Sequence, residues 1–84
     1  MELIYFYTDC FKNKYPFIKN ICEEMGISLR MFNVDEDPAV LQDYDIHVVP
    51  PAFVIFDSAG KRRATITGRN ISKERLLDTL KNID

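Results

Sequence analysis

Residues 50–61, PPAFVIFDSAGK, combine two prolines, a short apolar run and a group of turn-forming residues. The apolar run Ala52–Phe56 predicts a β-strand, because a run of this length between turn signals is typical of a buried strand. Residues 57–60 favour a tight turn, and residues 63–67 are predicted to pair back as the second strand of a hairpin. Gly68 is expected to end that strand.

Two strand-and-helix units are predicted before the hairpin. Residues 3–7 form an apolar run without alternation, as expected for a strand that is buried on both faces, and residues 27–34 predict a second strand. Apolar residues recur at helical spacing over residues 14–25, and Gly26 lies where a glycine commonly ends a helix. Because these two strands are joined through a helix, they are predicted to be parallel.

Two further helices are predicted from their cap residues. Asp37 is the expected N-cap of the second helix, with Pro38 at its first position, and this helix is expected to run to about Tyr44. Ser72 is the expected N-cap of the last helix. The apolar stripe of the last helix comprises Leu76, Leu77, Leu80 and Ile83. The predicted order is β-α-β-α-β-β-α, an α/β arrangement.

Size, charge and cysteine content limit the class of protein. Eighty-four residues, 46% of them apolar, suit a single small globular domain over residues 1–84. A formal net charge of −2 gives no attraction to nucleic acid or to an anionic membrane. The first apolar run is too short for a signal peptide, and no stretch is long enough to cross a bilayer. A cytoplasmic monomer is therefore expected, with its two cysteines as free thiols.

Several short segments of the sequence, in this order, resemble the thioredoxin/glutaredoxin superfamily in its short form, which lacks the extra N-terminal strand and helix. Residues 32–38, FNVDEDP, look like the segment that leaves the family's second common strand, and residues 51–61 are similar to its cis-proline, strand and hairpin turn. Gly68, residues 71–73 and the leucine-rich helix resemble the family's C-terminal end. The resemblance covers most of the chain and implies a thioredoxin-like fold, with a four-stranded mixed sheet flanked by three helices.

The resemblance also implies a cis-proline at the start of the third strand, where this chain has two prolines. Counting forward from Tyr44 places the cis-proline at Pro50, and counting back from Phe56 places it at Pro51. An extra residue is absorbed more easily in a loop than in a buried strand, which favours Pro51. Both prolines are candidate substrate-binding residues.

The family's active site is C-x-x-C, or C-x-x-S in monothiol members, at the start of the first helix. A helix N-terminus stabilises a thiolate, and the second cysteine resolves a mixed disulfide. In one register the site is residues 10–13, where Cys10 is the reactive thiol and Asn13 replaces the resolving cysteine. In the other, counted back from Gly26, the site is residues 12–15 and contains no cysteine. Helix periodicity favours the second register, and the sequence leaves both open.

Other residues that could take part in the chemistry have simpler interpretations. Cys22 lies on the apolar stripe of the first helix and is interpreted as a buried structural cysteine. Helical rise would place it about 15 Å from Cys10, too far for a disulfide. His47 is interpreted as a solvated loop residue. The family's buried acid is also missing, because Ile4 occupies its place.

Two functions are compatible with these residues. In the first, Cys10 alone carries out thiol–disulfide exchange with protein thiols or glutathione, as a monothiol oxidoreductase without a metal or cofactor. The substrate-binding residues would then be Lys12, Asn13, Pro50 and Pro51. In the second, the protein is a redox-inactive thioredoxin-fold binding module. Its protein partner would contact residues 12–15 and the proline loop.

Overall fold

The computed structural model describes residues 1–67 and 71–83. Within them the elements are β1 (Glu2–Tyr7), a 3₁₀ turn (Asp9–Phe11), α1 (Phe17–Met25), β2 (Ser28–Asn33), α2 (Val40–Asp43), β3 (Ala52–Phe56), β4 (Arg62–Thr67) and α3 (Lys73–Lys81). The predicted element order is confirmed. Gly68, the expected end of β4, lies outside the described residues.

The four strands form one mixed sheet in the order β2-β1-β3-β4. β1 runs parallel to β2, as predicted, and antiparallel to β3, which pairs with β4 as the predicted hairpin. Tyr7 at the end of β1 lies opposite Asn33 at the end of β2, and Phe6 lies opposite Ala52 at the start of β3. The loops that leave β1 and β2 therefore share one end of the sheet with the loop that enters β3. We call this the upper end.

The core has two halves, one on each face of the sheet. Alternate side chains of β1 enter opposite halves, and the whole strand interior is buried. On one face α1 and α3 cover a cluster that includes Tyr5, Ile21, Phe53 and Leu76. On the other face α2 covers a smaller cluster that includes Phe6 and Val40. The expected burial of β1 on both faces is confirmed.

Helix α1 begins later than its periodicity predicted. It starts at Phe17, with Pro16 as its N-cap residue, three residues after the predicted start. A residue before proline is disfavoured in the α region, so the helix cannot extend back through Tyr15. The predicted end is correct: Gly26 is left-handed with φ 67°, and the Ile27 N–H donates to the Cys22 carbonyl at 2.8 Å.

Helix α2 is shorter than predicted. The predicted cap residues Asp37 and Pro38 lie in the turn before it, where their carbonyls accept hydrogen bonds from the Val40 and Leu41 N–H groups. These bonds span three residues, which is 3₁₀ rather than α geometry. The α-helix itself is limited to Val40–Asp43. No helix in the described part of the chain combines the length and apolarity that a bilayer crossing needs.

The predicted cap of α3 is confirmed and supports a stability test. The Ser72 Oγ accepts a hydrogen bond from the Arg75 N–H at 3.1 Å. Ser72→Ala removes this acceptor and should lower the free energy of unfolding by about 1 kcal/mol, measured by urea denaturation. Ser72→Asp should retain stability, because aspartate caps equally well and favours a helix N-terminus. Equal stability of Ser72→Ala and the wild type would show that the cap contributes nothing.

Candidate functional site

The exposed thiol Cys10 lies in the 3₁₀ turn at the upper end of the sheet. Helix α1 begins only at Phe17, so the expectation that Cys10 heads this helix is wrong. The same holds for Lys12, which the other register placed at the head of the helix. Pro16 is the physical reason in both cases, because it fixes where the helix begins. The residues before it form turns.

The turn that carries Cys10 is tied to the loop after β2. The Asp9 N–H donates to Asp35 Oδ2 at 2.8 Å, and Asn33 Nδ2 donates to Asp9 Oδ1 at 2.7 Å. Asn33 also accepts from the Asp35 N–H through its Oδ1 at 3.0 Å. Asn33 and Asp35 therefore hold Asp9, the residue before Cys10, against the end of β2.

The residue after Cys10 is held from below by Tyr5. The Tyr5 hydroxyl donates to the Phe11 carbonyl at 2.8 Å. Burial raises the pKa of the Tyr5 phenol, and the neighbouring Tyr15 and Tyr7 raise it further. The phenol therefore stays protonated and remains a donor. Cys10 is thus presented on a turn whose two ends are both fixed by hydrogen bonds.

Tyr15 lies two residues before the start of α1. It is the last residue of the second register, where the family has its resolving cysteine. Tyr15 is only 6% exposed. Its ring lies edge-on to Tyr5, with centroids 5.8 Å apart, and edge-on to Phe53 at 5.5 Å. Such aromatic pairs stabilise a core beyond their buried area. This position therefore serves packing and carries no thiol.

Cys22 has the structural role that its helix position predicted. It is buried in the core beneath α1, and burial raises the pKa of its thiol. A buried neutral thiol is a poor nucleophile. Cys22 therefore packs as a small apolar residue and does not act as a partner for Cys10.

The proline loop lies at the same upper end as Cys10. The peptide bond between Pro50 and Pro51 is cis. The Val49 carbonyl accepts a hydrogen bond from Thr67 Oγ1 at 3.3 Å, which ties the loop to the end of β4, and the Val49 side chain is 82% exposed. The Cys10 turn follows β1 and this loop precedes β3, and β1 and β3 are neighbouring strands of the sheet.

The other positions considered for the chemistry, His47 and Ile4, have different neighbours from Cys10. The His47 side chain is 83% exposed, and its Nε2 lies 2.7 Å from Asp45 Oδ1. Ile4, at the place of the family's buried acid, packs in the core beneath α2. Across residues 1–67 and 71–83 no charged or polar residue is buried. The same part of the chain contains no group of three or more potential metal ligands.

A pocket of about 310 Å³ lies between the chain before α1, the first turn of α1 and the outer strand β2. Its lining residues are Tyr5, Lys12, Asn13, Tyr15, Pro16, Ile18, Lys19 and Met31. Two of the predicted binding residues, Lys12 and Asn13, are therefore brought together here. Cys10, Pro50 and Pro51 are not among the lining residues.

Sequence reasoning missed the pocket because its walls come from separate elements. Tyr5 and Met31 are direct partners across the β1–β2 pair, which the sequence predicted only as a parallel pairing without a register. Lys19 lies in the first turn of α1, which had been predicted to begin earlier. A correct start of α1 at Phe17, together with the strand register, would have placed these side chains on one side of the molecule.

The two thiols should differ strongly in reactivity. With iodoacetamide, Cys10 should react in the native protein at nearly the rate seen in urea. Alkylation of Cys22 should be slowed by at least about a hundredfold, because it requires opening of the core. Mass spectrometry of quenched samples measures both rates. Comparable native rates for the two cysteines would contradict the burial of Cys22.

The hydrogen bond below the Cys10 turn gives a second test. Tyr5→Phe leaves the ring packing intact but removes the donor to Phe11, and should lower the free energy of unfolding by about 0.5–1.5 kcal/mol. Tyr7→Phe is the matched control, because the Tyr7 hydroxyl has no hydrogen bond within the described residues. Urea denaturation gives the free energy of unfolding of both variants. An equal loss in the two would show that the hydrogen bond from Tyr5 to Phe11 does not stabilise the protein.

Comparison with solved structures supports the architecture. No protein-family model matches this sequence, and no curated protein matches it. Among solved structures, the chain is similar to thioredoxin 1 from the thermophilic eubacterium Thermosipho africanus TCF52B, with 24% identity over 96% of this chain and 91% of that chain and a TM-score of 0.77. It is also similar to a mutant thioredoxin from Halobacterium salinarum NRC-1, with 22% identity over 98% of this chain and 73% of that chain and a TM-score of 0.79. These likenesses and the mixed four-stranded sheet with three helices show that the chain has a thioredoxin-like α/β fold.

Proposed function

We propose that this thioredoxin-fold protein carries out thiol–disulfide exchange through one thiol, that of Cys10. Its reaction partners would be protein thiols or glutathione. The observation that carries the proposal is the exposure of Cys10 on a turn that is held by Asp35 and Asn33 on one side and by Tyr5 on the other. An exposed and positioned thiol can meet a disulfide without local unfolding.

The proposed reaction has two exchange steps. The Cys10 thiolate attacks one sulfur of a disulfide, so that a mixed disulfide with Cys10 forms and the other half leaves as a thiolate. A second thiol, from glutathione or a protein, then attacks the mixed disulfide. Its sulfur bonds to the substrate half, and Cys10 is released as the thiolate. At the end of these two steps one half of the original disulfide is a free thiol and the other half is joined to the external thiol, so the number of disulfides is unchanged. A second external thiol that attacks this new disulfide would complete the reduction of the substrate.

The second step needs an external thiol because the chain supplies no resolving cysteine. The sequence contains two cysteines, and the other one, Cys22, is buried in the core. Asn13 and Tyr15, the candidate positions for a resolver, carry no sulfur. The proposed chemistry is therefore that of a monothiol.

The substrate surface in this proposal is the upper end of the sheet. Lys12 follows the Cys10 turn and is exposed, so its ammonium group can contact a carboxylate of glutathione or of a protein. The cis bond at Pro50–Pro51 and the exposed Val49 border the same end. The similar solved structures are thioredoxins, which supports protein disulfides as the substrate class.

The decisive experiment follows glutathione transfer to Cys10. On incubation with glutathione disulfide, intact-mass spectrometry should show one added glutathionyl group, which peptide mapping assigns to Cys10. Cys10→Ser should abolish the addition, whereas Cys22→Ala should retain it. Added glutathione should reverse the modification.

A peptide of residues 5–16, YFYTDCFKNKYP, is the matched control for the folded site. It contains the same thiol and the same local charges but lacks the fixed turn. The protein should exchange faster than this peptide. If the rates are equal, Cys10 is an ordinary surface thiol. The alternative function, a redox-inactive binding module, would then take the place of the proposed activity.

A further inference from the structure

We propose that the pocket beside α1 is a binding site for a small molecule that carries a carboxylate on a flat apolar body. The site needs no reaction at Cys10, although Lys12 belongs both to this pocket and to the substrate surface of the proposed exchange reaction. It is a cavity of about 310 Å³, which lies at the lower end of the roughly 300–1,000 Å³ range of ligand pockets. This size suits a small aromatic acid.

The buried part of the pocket is apolar and aromatic. Tyr5, Tyr15 and Ile18 are all buried, and the two tyrosine rings meet edge to face. Met31 completes this wall from β2 and is 41% exposed. A thioether adapts to the shape of a ligand and makes favourable contacts with aromatic rings. A flat apolar body would therefore find both aromatic and thioether contacts here.

The exposed part of the pocket is cationic. Lys12 and Lys19 line it, and no aspartate or glutamate does. The ion pairs of the described residues are Arg30–Glu2, His47–Asp45 and Arg63–Asp57, so both lysine ammonium groups lack a carboxylate partner there. Lys19 also lies in the first turn of the nine-residue helix α1, whose N-terminus adds a partial positive charge. The charge of the pocket thus complements a carboxylate.

The pocket shares Lys12 and Asn13 with the proposed substrate surface but contains no thiol. Cys10, Pro50 and Pro51 do not line the pocket. The Tyr5 hydroxyl is already bonded to the Phe11 carbonyl, so Tyr5 offers the pocket its ring. Asn13 is an exposed lining residue whose amide can both donate and accept. It supplies a neutral polar group that can orient a bound acid.

The test titrates the ¹⁵N-labelled protein with 2-naphthoate and follows amide chemical shifts. Saturable shifts are expected at the amides of residues 12–15, residues 17–19 and Met31. The uncharged 2-naphthamide has the same ring system and should bind more weakly. Lys12→Gln and Lys19→Gln should each raise the dissociation constant by about two- to fivefold, as expected for a solvent-exposed charge pair.

Lys14→Gln is the matched control, because Lys14 is an exposed lysine of the same segment that does not line the pocket. It should leave the dissociation constant unchanged, and so should Cys10→Ser. The proposal is overturned if 2-naphthoate gives no saturable shifts, if the amide binds as tightly as the acid, or if Lys14→Gln weakens binding as much as the other two variants. Loss of binding in Cys10→Ser would overturn the inference that the site needs no reaction at Cys10, whatever the outcome of the glutathione experiment.

Discussion

Burial of β1 on both faces is the constraint on which the rest of the structure depends. The strand pairs with β2 on one side and β3 on the other, and its alternating side chains enter both halves of the core. β2 runs parallel to β1 and β3 runs antiparallel to it, which brings the loops after β1 and β2 and the loop before β3 to one end. Burial of apolar area supplies most of the stability of so small a domain. It also determines that the exposed groups of the Cys10 turn and the proline loop lie at the same end of the sheet.

Most of the fold was predicted correctly from local signals, whereas the start of α1 and the length of α2 were not. The hairpin turn was predicted from local signals. The Asp57 carboxylate accepts hydrogen bonds from the Ala59 and Lys61 N–H groups. The bond from Lys61 is the largest cause of the lowered pKa of the Asp57 carboxyl group. Apolar periodicity, in contrast, continued past Pro16, although a proline restricts the residue before it. A face pattern indicates which side of a helix is buried, and backbone sterics decide where the helix begins.

The candidate site was less predictable than the fold, because its geometry rests on contacts between residues far apart in sequence. The burial of Cys22 was predicted from its place on the apolar stripe of a helix. The link from Asp9 to Asn33 and Asp35 spans more than twenty residues and has no local signature. The pocket likewise requires Tyr5 and Met31 to be opposite each other, a register that apolar runs without alternation do not specify.

The aromatic packing of Tyr15 also limits how this chain can change. Because its ring contacts Tyr5 and Phe53, a cysteine at this position would leave a cavity in the core. Truncation of a buried aromatic side chain typically costs about 3–5 kcal/mol, a large part of the roughly 5–15 kcal/mol that holds a domain folded. A C-x-x-C motif over residues 12–15 is therefore disfavoured in this chain. Compensating substitutions in β1 or β3 would have to come first. The same dependence means that catalytic residues transplanted from a thioredoxin into this scaffold would need their supporting core transplanted with them.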